Sequence, residues 1–170
     1  KISPRAVDLA MAKKPLLSQI SWPVERLGEL LEMLARRAGL SSHPRNISQP
    51  PDSLLESGDE QAFLQWVDNA AGYLELEAEP ISVQYAKLNL LLRTVSPAIL
   101  RISSAASKLD NPGSQRINSA FLALISARGN RVRLLCPDLK ARTFKSSDIE
   151  ALISSTQEGG LGVMVDEVLN

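Results

Sequence analysis

Cys136 and His43 are the only thiol and the only imidazole in this chain of 170 residues. A thiol beside an imidazole is hydrolase chemistry: the base takes the proton and the thiolate attacks a carbonyl. Here the two groups are remote in sequence. His43 lies in a stretch rich in Ser, Pro and Asn, and Cys136 ends an apolar run. A Cys136–His43 dyad therefore requires the fold to join them; otherwise His43 is a solvated loop residue and Cys136 a small apolar one. One His and one Cys without spaced partners do not make a four-ligand metal site. Gly159-Gly160-Leu161-Gly162 lacks the Lys and Ser/Thr of a phosphate loop and the strand that should precede it. No cofactor is expected. Trp66 falls in a helical apolar stripe and reads as core. Trp22 precedes a helix, where it is either a staple-like contact or an exposed aromatic beside a groove.

The elements that must position these groups begin with Pro23–Ala38. Val24, Leu27, Leu30, Leu31, Leu34 and Ala38 recur at helical spacing, Pro23 suits a first helical turn, and Gly39 suits the position after the last. A short helix is expected over Val7–Lys13, and a loop over Ser41–Gly58 around Pro50-Pro51. Asp59 can cap a second helix through Ala71, ended by Gly72. Tyr73–Glu79 alternates Leu74, Leu76 and Ala78 with Glu75, Glu77 and Glu79, which predicts a half-buried strand with an acidic face. Ser82–Arg93 predicts a third helix. Pro97–Ile102, Ser119–Ser126, Arg131–Leu135 and Leu139–Phe144 are short apolar runs divided by a polar loop over Ser103–Asn118, by Gly129-Asn130 and by Pro137-Asp138. That is an antiparallel meander. Ser147 and Glu150 have capping-box spacing for a last helix over Asp148–Ser154. Helices first and an antiparallel sheet after them argue an α+β fold.

Composition sets limits. Nineteen basic residues balance nineteen acidic ones, which argues against a nucleic-acid or polybasic membrane role. The chain is 44% hydrophobic and 22% charged, ordinary for a globular domain. No run reaches the roughly 18–20 apolar residues of a membrane span. A single cysteine forms no internal disulfide and fits a reducing compartment. The first residues lack an initiator Met and an apolar signal region, and GVMVDEVLN breaks off without a terminator. Both ends read as cuts from a longer polypeptide.

The order of Pro23–Gly39, Ala62–Glu79, Pro97-Ala98-Ile99-Leu100, Phe121-Leu122-Ala123-Leu124 and Leu134-Leu135-Cys136-Pro137 resembles the C39 peptidase family, the papain-like domains at the start of bacterial ABC exporters. The resemblance spans roughly Gln19 to Ser154. It implies a papain-like fold in which N-terminal helices pack on a twisted antiparallel β-sheet. It divides the chain into a lead-in (1–18), the peptidase-like domain (19–155) and a linker toward a downstream region (156–170). By the same resemblance, the nucleophile position falls at or near Arg26, the histidine position on Ala120 and the aspartate position on Cys136, so all three triad places are vacant. Gln19 is similar in place to the family's oxyanion glutamine, and Trp22 lies beside the former groove; these two are the candidate substrate-binding residues.

What the resemblance implies is a non-catalytic domain on the cytoplasmic side of a bacterial inner membrane. It would bind an exported polypeptide or leader peptide, or regulate export, alongside the membrane and nucleotide-binding domains of its parent exporter. No nucleic acid is expected as a partner. The competing expectations are a divergent thiol hydrolase using Cys136 and an assembly module with no ligand.

Overall fold

A computed structural model of the protein describes residues 15–103 and 116–156. The chain opens with α1 (Leu17–Ile20), β1 (Trp22–Pro23), a 3-10 turn (Val24–Arg26) and α2 (Leu27–Arg37). Then come α3 (Asp52–Ser57), α4 (Glu60–Tyr73), a second 3-10 turn (Tyr85–Lys87) and α5 (Leu88–Thr94). The strands β2 (Ala98–Ser103), β3 (Ser119–Arg128), β4 (Arg131–Leu135) and β5 (Ala141–Lys145) follow, and a helix over 146–156, α6, ends the described chain. The fold is α+β, with one antiparallel sheet among the described residues.

The sheet is organised around β3. Along one edge lies β2, with Ala98 opposite Leu124 and Ser103 opposite Ser119. The other edge is shared. β4 pairs with its later half, from Arg128↔Arg131 to Ala123↔Leu135, and β1 with its earlier half, Trp22↔Phe121 and Pro23↔Ala120. β1 thus continues the line of β4, and β5 pairs with the outer side of β4. An extra residue at Ile125 bulges β3 between its pairings with Leu134 and Arg133.

Successive strand residues point to opposite sides, and from Ser119 to Ile125 of β3 both sides are covered. Phe121, Ala123, Ile125 and Leu135 pack with Trp22, Val24, Leu27, Leu30 and Leu34 near α2 and with Phe63 of α4. Leu122, Leu124, Val132, Leu134 and Cys136 pack with Leu88 and Leu92 of α5 and Ile149 and Ile153 of α6. Helices therefore cover the sheet from two sides, α2 and α4 on one and α5 and α6 on the other.

Local chemistry explains most boundaries. The Asp59 carboxylate accepts from Ala62 N–H at 3.0 Å, satisfying a first-turn donor of α4. Gly39 takes φ +74 just after α2, where a side chain would be strained. Trp66 is half-buried and stacks on Phe63 with ring centroids 6.4 Å apart.

Several expected elements differ. Pro23 is part of β1 rather than the first turn of a helix, its extended backbone (φ −71, ψ 153) meeting Ala120. The stretch expected as a loop over Ser41–Gly58 contains α3. Helix α4 runs through Gly72 to Tyr73. The residue that turns left-handed is Glu75, φ +63, while Leu76 N–H closes onto Ala71 C=O. Tyr73–Glu79 is consequently a helix end and an irregular segment, not a strand: Leu74 is anchored in the core, and among the described residues no strand pairs with it. The helix expected over Ser82–Arg93 is a 3-10 turn followed by α5. The last helix begins at Ser146, one residue before the expected cap, so Ser147 lies inside its first turn. The expected helix at Val7–Lys13, most of the polar loop over Ser103–Asn118 and the glycines from Gly159 lie outside the described residues.

Candidate functional site

Trp22 and Arg26 lie at one corner, where β1 and the start of α2 meet the turn after β4. Trp22 is wholly buried there. Its indole N–H donates to Leu135 C=O at 2.7 Å, which ties β1 to the end of β4. Of the two expectations for Trp22, the structure has the packed contact; its ring faces α2 and the core, not solvent. As a ligand platform it is therefore corrected: its faces and its one donor are already engaged.

Arg26 lies over that ring, its guanidinium carbon 4.7 Å from the centroid. Nε and Nη2 of Arg26 donate to the two Glu29 carboxylate oxygens at 2.8 and 2.9 Å, and Nη1 donates to Pro137 C=O at 3.2 Å. The hydrogen bond with Glu29 holds the guanidinium pKa above its ordinary value and the Glu29 carboxyl below its own. A permanently protonated group cannot act as nucleophile or base. Arg26 instead forms a bracket joining the start of α2 to the Pro137 turn.

The start of α2 is closed in a second way. Gly28 N–H, one of the donors a helix leaves unpaired at its beginning, donates to Gln49 Oε1 at 2.9 Å. The 47–49 segment crosses so closely that a Cβ on Gly28 would lie 2.8 Å from Ser48 O and 3.0 Å from Ile47 O. Helix starts stabilise anions only when those donors are available. Here a neutral side chain of the same chain occupies one.

The three positions that the C39 resemblance marks do not all face the same side of the sheet. Ala120, opposite Ile102 and Pro23, alternates with Phe121 and so shares the sheet side of Cys136, facing α5 and α6. Arg26 lies with α2 and Trp22 on the other side. Cys136 is fully buried, and burial pushes its thiol pKa up, the direction that keeps it protonated and unreactive. His43 is exposed in the loop before α3, where its backbone carbonyl accepts from Ser41 Oγ at 3.1 Å. Gln19 is exposed on α1. Among the described residues, no group of three His, Cys, Asp or Glu side chains is placed to hold a metal ion.

Two open depressions flank the C-terminal half of α4. One, about 730 Å³, is lined by Asp68, Gly72, Leu76 and the 77–80 segment; the other, about 330 Å³, by Ile47, Trp66, Ala70 and Tyr73, with Asn69 common to both. Neither borders the Trp22 corner.

Sequence reasoning missed Gln49 and Gly28. A lone Gly at the second position of a helix is a cue to close backbone approach, but its partner is a long-range contact. It also missed that the Pro137 turn contributes a carbonyl to Arg26. Compared with known proteins, the chain matches no family model, no curated protein and no solved structure. No helix among the described residues is long and apolar enough to cross a membrane.

Proposed function

We propose that this chain is a non-catalytic, papain-like domain of a bacterial ABC exporter, one that grips a polypeptide without cutting it. The observation that carries the reading is Arg26. At the place the C39 resemblance reserves for a nucleophile stands a bracketed guanidinium, bonded to Glu29 and Pro137, at a helix start already occupied by Gln49. The order of helices and meander strands supports the fold assignment, and the burial of the Cys136 thiol, which pushes its pKa up, speaks against a replacement nucleophile. A scaffold without its triad keeps what peptide capture uses, namely sheet edges and apolar surface. In this reading the partners are an exported polypeptide or its leader peptide and the membrane and nucleotide-binding domains of the exporter, and the domain works on the cytoplasmic face of the inner membrane.

The test uses the polypeptide encoded beside the exporter. Calorimetric titration should give saturable binding, and mass spectrometry after long incubation with reductant should recover the polypeptide intact. Cleavage would overturn the reading, and so would the absence of saturable binding. Iodoacetamide labelling checks the thiol-hydrolase alternative: Cys136 should label only after denaturation, and rapid labelling of the native protein would restore that alternative.

A further inference from the structure

The far end of the sheet carries Arg128, Arg131, Arg133 and Lys145, all exposed and none paired with a carboxylate among the described residues. Register places them together. Arg131 stands opposite Arg128 on one side and Lys145 on the other, and Arg133 stands opposite Thr143. Residues directly opposite in a ladder share a face, so the four cations form one cluster. It lies on the face that α2 and α4 cover farther along, where Leu135 and Ala141 join their core.

Like charges directly opposite each other oppose sheet formation. Among the described residues the paired acids serve other cations: Glu60 binds Arg101, Glu75 binds Arg45, and Glu25, Asp52 and Glu56 surround Arg116. A lysine on an edge strand is a common defence against strand pairing, which accounts for Lys145. It does not account for the arginines, which belong to β3 and β4 inside the sheet.

β5 is the terminal strand, so its outer row of N–H and C=O groups is unpaired among the described residues. The cluster contains no aromatic side chain on which a base could stack and no apolar one that could enter a bilayer; Phe144 points to the opposite face and packs there. We propose that the β4–β5 edge receives an acidic, extended polypeptide segment as an added strand, its carboxylates at every second residue meeting Lys145, Arg131 and Arg133. β4 lies two strand spacings from an added strand, about 9.6 Å, a gap that an arginine side chain and a glutamate side chain reaching toward each other can close. The added backbone completes the β5 ladder while its carboxylates neutralise the cluster. The inference rests on the polypeptide-binding reading for the class of occupant and adds the surface and the peptide chemistry.

The probe is a fluorescein-labelled octapeptide of alternating Glu and Val, followed by fluorescence anisotropy against the whole chain. Saturable binding is expected, weakening with added salt. It should fall at least about tenfold in R131E/R133E and by less in R131Q/R133Q. The Lys/Val counterpart, and the Glu/Val peptide N-methylated at alternate residues, should not bind. Both double variants change exposed side chains, and circular dichroism checks that they fold. Equal binding by R131E/R133E, by the Lys peptide or by the methylated peptide overturns the proposal. So does tighter binding of oligothymidine or of phosphatidylglycerol vesicles. An exported polypeptide that binds the native chain and R131E/R133E alike removes this surface and leaves the functional reading standing. Binding of the Glu/Val peptide alone, with no exported polypeptide bound, removes that reading instead.

Discussion

Arginine plays opposite parts at the two ends of the β4 line. Beside the last residues of β4, Arg26 is stacked on Trp22, paired with Glu29 and bonded to Pro137. At its first residues, Arg131 and Arg133 stand among other cations with no counter-charge among the described residues. One end uses its guanidinium to hold two segments together; the other leaves it facing solvent. The difference teaches that a residue type at an expected site says little until its partners are counted. The position where the C39 resemblance places chemistry is the more tightly occupied end, and the end that no motif marks is the one with unused hydrogen-bonding and charge.

The sharpest way to break this contrast is at Trp22. Trp22→Ala removes a fully buried ring and should lower unfolding free energy by about 3–5 kcal/mol in urea titration. Trp22→Phe keeps most of the apolar area but leaves Leu135 C=O without its donor, so about 1–3 kcal/mol is expected. A loss under half a kilocalorie for Trp22→Ala would mean that the corner does not hold the sheet together. Next is Gly28→Ala. The new Cβ must displace backbone carbonyls of Ile47 and Ser48, and a loss of about 1–3 kcal/mol is expected, although alanine is ordinarily the better helix former.

Acid should separate the two ends. Glu29 and Glu60 have folded-state pKa values depressed by hydrogen bonds from Arg26 and Arg101. Their contribution is complete above the unfolded carboxylate value of about 4.3 and is lost as pH falls through the lower folded values. Thermal unfolding from pH 6 downward should show Tm falling below about pH 4.5, with a shallower fall in Glu29→Gln. Both carboxylates are partly solvated, so the effect is small. The smallest change expected is a gain: Lys145→Glu places a carboxylate opposite Arg131 and should stabilise the fold by about 0.2–1 kcal/mol, less in high salt. A loss of stability there would mean that Lys145 already has a partner.

Much of this fold was legible in the sequence. The apolar stripe of α2, the Asp59 cap of α4 and the turn at Gly129-Asn130 are local signals, and local hydrogen bonds decide them. The alternation in Tyr73–Glu79 misled because period two describes any extended run that buries every other residue. A strand also needs a partner edge, and Leu74 and Leu76 instead fasten the end of α4 to the core. The two-sided burial of the sheet had a cue in the unbroken apolar run Phe121–Ile125, since a strand with one solvated face alternates. Of the candidate site, the absence of a nucleophile around Arg26 was visible in the residue types. The Gln49 contact and the opposite facing of Arg26 and Ala120 were not, because they depend on register and on contacts between distant segments.

The end-to-end placement of β1 and β4 along one edge of β3 has a bearing on biosynthesis. As the chain leaves the ribosome, Trp22 emerges long before Phe121 and Leu135, the residues it pairs with and donates to. Until those arrive, the indole and the apolar side of α2 have no sheet to cover. The nascent amino-terminal half must therefore wait, shielded by chaperones or by its own transient collapse, for the carboxy-terminal strands to be translated.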